Sequence, residues 1–251
     1  MIHVNVLWTA GLDSTCRIVE LASQEGYIIQ PWYIVDSHRR SRFMEMKRIR
    51  RMTSLIRTNP ATRSRLEDVR IVGRPEKGGI EDLHELWKPL HQKYHLGSQY
   101  VWLAGFLRER GMVAEVSLEQ GQYGATLAIE SECEIYTEKQ GEYEVYRINP
   151  EHSSTSGAAV FRDLAFPVSI WDTPKKEEAQ RIIRLGYEDV FRLTWFCHKP
   201  ILGLPCGHCN PCRNTIQDGL GWRVPVAGRI LYYPLNPILN LINSIGRRLR
   251  K

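Results

Sequence analysis

Apolar residues near the N-terminus fall into two short, nearly continuous runs separated by a stretch of helical period. Residues 4–8 are apolar except for Asn5 and include the β-branched Val4 and Val6, the composition of a strand buried on both faces of a parallel sheet. The run stops at Thr9-Ala10-Gly11-Leu12-Asp13-Ser14. Cys16, Ile18, Val19, Leu21 and Ala22 then recur at helical spacing until Gly26 closes the helix. Residues 28–35 read as a second strand ending at Asp36, and residues 69–72 as a third. Helical spacing returns over residues 87–110, with Leu96, Tyr100, Leu103 and Leu107 on one face. Residues 115–118 form a further strand, and residues 175–185 a helix behind the turn Asp172-Thr173-Pro174. Strands alternating with helices predict an α/β domain with a mostly parallel sheet and right-handed crossovers.

That alternation occupies residues 1–190. Residues 191–220 form a loop-built module rich in Cys and Pro, and residues 221–251 a basic tail entered through a linker at 225–237. In the tail, Asn236 can cap a helix that has Pro237 at its first position. Ile238, Leu241, Ile242, Ile245 and Leu249 would form one apolar stripe, among Arg247, Arg248, Arg250 and Lys251. Such a stripe docks on the chain's own core, on a partner protein or on an anionic membrane surface.

Four of the six cysteines crowd into Cys197-x8-Cys206-x2-Cys209-x2-Cys212. This clustering does not suit a disulfide framework. It suits one zinc ion held by four thiolates, whose closed shell makes it structural. His198 and His208 are competing ligands that a four-cysteine shell does not need, and lone Cys16 and Cys133 read as packed thiols. With a net charge of +6 and a pI near 9.0, the surface suits anionic partners such as nucleotides, RNA, anionic lipid or an acidic protein. No run approaches the roughly 18 apolar residues of a membrane span, and no export signal opens the chain, so the cytoplasm is the expected compartment.

The segment Trp8-Thr9-Ala10-Gly11-Leu12-Asp13-Ser14-Thr15 lies where a strand hands over to a helix. Backbone N–H groups and the positive helix end converge there, which favours phosphate. Gly11 allows close approach, Ser14 and Thr15 add hydroxyls, and Asp13 can hold Mg²⁺. A Walker loop is excluded, because no Lys-Ser/Thr pair follows the glycine. The segment resembles the PP-loop, Ser-Gly-Gly-x-Asp-Ser, of the N-type ATP pyrophosphatases, with Thr9 and Ala10 as departures.

A PP-loop followed late in the chain by this cysteine array resembles the 7-cyano-7-deazaguanine synthase (QueC-like) family. The resemblance implies a doubly wound, HUP-like α/β domain with a C-terminal zinc-binding module, often as a homodimer. It also implies ATP-dependent ligase chemistry, in which a deazaguanine carboxylate is activated as its acyl-adenylate and ammonia displaces AMP. On this resemblance Asp13 and Ser14 are the catalytic candidates, Trp8 to Thr15 the ATP-binding segment, and Cys197, Cys206, Cys209 and Cys212 the zinc ligands. The family's Gly-Arg-Asn element is replaced by Gly97-Ser98-Gln99, and its acidic substrate loop by residues 119–124. Gln99, Glu119, Gln122 and Tyr123 are therefore candidate substrate contacts, as are Arg39 and Arg40 in the basic segment 38–51. Two bland readings stand beside these: a polar surface turn at 119–124 and a solvated helix face at 38–51. The accepting amine is ammonia or an amine of a partner protein, met through the basic segment or the tail. Further alternatives are a tRNA-modifying PP-loop enzyme and a non-catalytic nucleotide- or RNA-binding zinc protein.

Overall fold

The structure is a computed structural model, and it describes residues 1–75, 80–118, 124–171, 173–230 and 232. The chain begins β1 (Ile2–Leu7), α1 (Leu12–Ala22), β2 (Tyr27–Val35), α2 (Arg42–Thr58), β3 (Arg65–Leu66) and β4 (Arg70–Gly73). It continues with α3 (Glu81–Tyr94), α4 (Gln99–Arg110), β5 (Ala114–Glu115), α5 (Ala125–Glu132), β6 (Glu134–Gln140) and β7 (Tyr143–Asn149). Last come α6 (Thr155–Phe161), β8 (Leu164–Pro167), α7 (Val168–Trp171), α8 (Lys175–Arg184), α9 (Glu188–Leu193) and α10 (Asn210–Thr215). The sheet order is β3-β2-β1-β5-β8-β7-β6, with β4 also on β2. All pairings among β1 to β5 and β8 are parallel, and the hairpin β6–β7 extends the sheet antiparallel beyond β8.

Side chains of β2 alternate between two apolar clusters, as strand geometry requires. Ile29 and Tyr33 pack with α1, α2, α8 and α9, while Trp32 and Ile34 pack with α3, α4 and α6. Helices thus cover both faces of a mostly parallel sheet, as the alternation of elements predicts. The expected third strand is β4, and the unexpected two-residue β3 precedes it on the same edge of β2; Pro31 supplies the reason for the break between them. Ile29 and Val35 turn their carbonyls to this edge, accepting from Glu67 and Arg74, so the even spacing puts the missing N–H of Pro31 on the same side. The edge breaks there, between Leu66 and Arg70, and the Gln30 amide bridges the gap by donating to the Asp68 carbonyl at 2.8 Å.

Charge as well as apolar contact fixes α1 on the sheet. Arg17 of α1 and Glu115 of β5 are buried and form a two-pronged pair at 2.7 and 2.8 Å. Glu20 lies 3.5 Å from Arg17 and accepts from Arg181 of α8 at 2.6 Å and from Ser169 at 2.7 Å. The Tyr143 ring lies 4.6 Å from the Arg17 guanidinium. The hairpin was not expected from the sequence, yet it brings Tyr143 to this network.

One expectation for the C-terminal part changes. Residues 226–230, inside the expected linker, are helical, and Gly228 packs on Gly207. The proposed tail helix from Asn236 lies outside the described residues. No helix among the described residues is long and apolar enough to cross a membrane.

Candidate functional site

β1 has β2 on one side and β5 on the other, so the chain reverses direction of sheet growth at β1. Crevices beyond the carboxyl ends of strands at such a switch point are where open α/β sheets bind ligands. A cleft of about 920 Å³ lies there, lined by Trp8, Thr9, Gly11, Asp13 and Ser14 from the first loop. Gly11 caps α1 with no side-chain hydrogen bond to the helix end, so its first-turn N–H groups face the cleft without a capping side chain. Ala10 takes the left-handed conformation, φ +61°, which the methyl group makes costly by about 1–2 kcal/mol. Its carbonyl accepts from the Trp195 N–H at 2.7 Å, which holds that conformation.

Not every residue of the segment reaches the cleft. Ala10 and Thr15 are fully buried, and the Thr15 hydroxyl accepts from the Trp8 indole N–H at 2.9 Å. Leu12 lines a smaller neighbouring pocket. Asp13 does face the cleft, and Lys175 stands 2.6 Å from its carboxylate. Lys175 begins α8, where a cation opposes the helix dipole, and the carboxylates of Asp13 and Glu178 offset that cost. A lysine at the first position of a helix is a signal legible in the sequence.

Arg39, Arg40, Arg74 and Gln99 line the same cleft, with Trp32, Tyr100 and Trp102 as aromatic walls. Arg39 is held from two sides, by Glu45 at 3.2 Å and by the His198 ring nitrogen at 2.7 Å. Accepting that bond makes His198 neutral at this nitrogen; desolvation, then the Arg39 charge, press its pKa below the ordinary value. Glu119, Gln122 and Tyr123 lie outside the described residues. Arg74 and His198 also line the cleft, and Lys175 the smaller pocket beside it; they come from three distant segments that only the fold brings together.

Cys197, Cys206, Cys209 and Cys212 are all buried, with their sulfurs within 4.8 Å of one another. Two sulfur pairs, Cys206–Cys212 and Cys197–Cys209, are 3.9 Å apart. A tetrahedron of thiolates about 2.3 Å from zinc has edges of about 3.8 Å, so the four residues can hold a metal ion such as zinc. Backbone N–H groups of Cys206 and Cys209 point at the sulfurs of Cys197 and Cys206, at 3.3 and 3.4 Å. Hydrogen bonds from Cys197 and Cys212 hold the Cys209 thiol low, whereas its neighbours push Cys212 up. Crowded sulfurs of this kind are relieved by a cation. Burial keeps Cys16 protonated and raises Cys133 to about 11, in keeping with packed thiols.

The cysteine cluster is joined to the first loop rather than hung from it. The Trp195 indole donates to the Cys197 carbonyl at 2.7 Å, and the same residue's N–H holds Ala10. Gly207 turns the knuckle at φ +79°, and a Cβ there would collide with the Gly228 backbone. Gly207→Ala is therefore expected to cost at least about 2 kcal/mol, read as a lower urea midpoint. An unchanged midpoint would show that the 225–230 segment is not packed as described.

No protein-family model matches the chain, and no curated protein is significantly similar to it.

Proposed function

We propose that the chain is an ATP-dependent carbon–nitrogen ligase with chemistry like that of 7-cyano-7-deazaguanine synthase. It would activate a deazapurine-like carboxylic acid as the acyl-adenylate and pass the acyl group to an amine, releasing AMP and pyrophosphate. The observation that carries this reading is the cleft at the switch point. Its floor is a glycine loop at a helix end without a side-chain cap, and Asp13, Arg39, Arg40 and Arg74 stand on its walls. The volume of about 920 Å³ has room for a nucleotide and a second planar molecule, and Trp32, Tyr100 and Trp102 offer surfaces for flat rings.

The residues divide the work by charge. Loop N–H groups and Ser14 would bind phosphate oxygens, and the three arginines would neutralise charge as the acid's oxygen attacks the α-phosphorus and the bond to pyrophosphate breaks. Asp13 is the residue suited to hold Mg²⁺, which would supply charge neutralisation at the phosphates. Lys175 already occupies one face of that carboxylate. Zinc in the four-cysteine cluster would be structural, fixing the Cys197 peptide and through Trp195 the turn at Ala10.

Acid-dependent exchange of labelled pyrophosphate into ATP tests the first half-reaction without knowledge of the amine. Exchange is expected with a deazapurine carboxylate, and Asp13→Ala should lower it by about 100-fold or more. Absence of exchange across a panel of such acids would favour a second reading, a nucleotide-holding protein without turnover. The buried Thr15 hydroxyl and the Ala10 methyl support that reading. Lys47, Arg50 and Arg51 on α2 are exposed and make no ion pair among the described residues, which suits an RNA or acidic protein partner in either case.

A further inference from the structure

Beside the large cleft lies a second pocket of about 270 Å³. It shares Thr9, Gly11, Asp13, Arg39 and His198 with the large cleft, and residues 211–223, after the cysteine knuckle, supply much of its remaining lining. Three cations and three carboxylates line it: Arg39, Lys175 and Arg223 against Asp13, Glu45 and Asp218. Four of these neutralise one another, since Lys175 pairs with Asp13 at 2.6 Å and Arg39 with Glu45 at 3.2 Å. Two are left over. Asp218 and Arg223 make no ion pair among the described residues.

Arg223 is held for use. Its Nη2 donates to the Thr194 carbonyl and hydroxyl, both at 2.6 Å, and its guanidinium lies 5.1 and 4.9 Å from the rings of Phe191 and Phe196. Burial, with Arg48 nearby, brings its pKa down to about 10, so it stays charged at neutral pH without a counter-ion. Burial raises the pKa of Asp218; the Lys175 charge nearby pulls it down only in part, and Asp13 adds to the rise. A half-buried cation and a half-buried carboxylate, neither in an ion pair among the described residues, suit a ligand carrying both opposite charges.

We propose that this pocket binds a free α-amino acid, its carboxylate on Arg223 and its amino group on Asp218, as the amine reactant. The inference rests on the ligase reading only for the fate of the amine. Ammonia, about the size of one water at roughly 30 Å³, would leave most of the pocket empty. In the reaction the ammonium first gives one proton to Asp218. The free amine then attacks the acyl carbon, a C–N bond forms, and the C–O bond to AMP breaks with its electron pair leaving on the phosphate. The second amine proton passes to water, and the product is an N-acyl amino acid.

The pocket can be tested without the reaction. The zinc-containing protein is titrated calorimetrically with the twenty amino acids, and with the N-acetyl and carboxamide derivatives of any that bind. At least one amino acid is expected to bind, and each derivative, lacking one of the two charges, should bind at least 10-fold more weakly. Asp218→Asn should reproduce the loss with zinc content at the parent level, a control that separates it from unfolding. Failure of every amino acid to bind, or equal binding of the derivatives, overturns the proposal. Should an amino acid bind while no pyrophosphate exchange is seen, the pocket assignment stands and the ligase reading falls. Exchange without amino-acid binding has the opposite meaning.

Discussion

Cys209→Ser is expected to take the metal content from about one zinc per chain to none and to lower the melting temperature by more than about 10 °C. Four sulfurs buried within 4.8 Å of one another form a complete shell, and removing one ligand opens it. Binding free energies of structural zinc reach about 10–16 kcal/mol in small domains, and that energy is folding energy. Here the cysteines belong to the same apolar cluster as β1 and α1, so the loss is not confined to a detachable knuckle. A deficit of only about 5 kcal/mol would shift a chain of this size by roughly 10–20 °C. Metal analysis and thermal unfolding of parent and variant decide the matter. A metal-free parent, or a variant melting with the parent, would show that the cluster is a set of free thiols.

Glu115→Ala should cost about 3–5 kcal/mol, because it leaves the Arg17 guanidinium buried without its two-pronged partner. Glu20 remains 3.5 Å away but already accepts from Arg181 and Ser169, so it compensates only in part. Removing both charges is a different experiment. Arg17→Met with Glu115→Leu deletes the pair together and should be far less damaging than Glu115→Ala alone. Urea unfolding of the three proteins reads the difference. A loss below about 1 kcal/mol for Glu115→Ala would mean that water reaches Arg17.

The parallel sheet was legible because its central strands are nearly continuous apolar runs and the helices between them keep a clear period. The four-cysteine cluster was legible from spacing alone. Pro31 was equally visible, but its effect depends on which edge its missing N–H faces, and only strand order fixes that. The hairpin β6–β7 escaped because five of the seven residues of β6 are polar, as suits an edge beyond the core. Site residues divide in the same way. The first loop is local and could be read, whereas Arg74, Lys175, His198 and Arg223 gain meaning only where four separate segments meet. Arg17 and Glu115 sit in apolar surroundings 98 positions apart, so neither predicts the other.

The nucleotide left after turnover tests the central claim most directly. The zinc-containing protein is supplied with ATP, Mg²⁺, a deazapurine carboxylate and an amine, and the products are resolved by ³¹P NMR. The proposed ligase reaction, on a glycine loop without a Walker lysine, predicts AMP and pyrophosphate in equal amounts, both absent when the acid is omitted. ADP and inorganic phosphate as the products would contradict it.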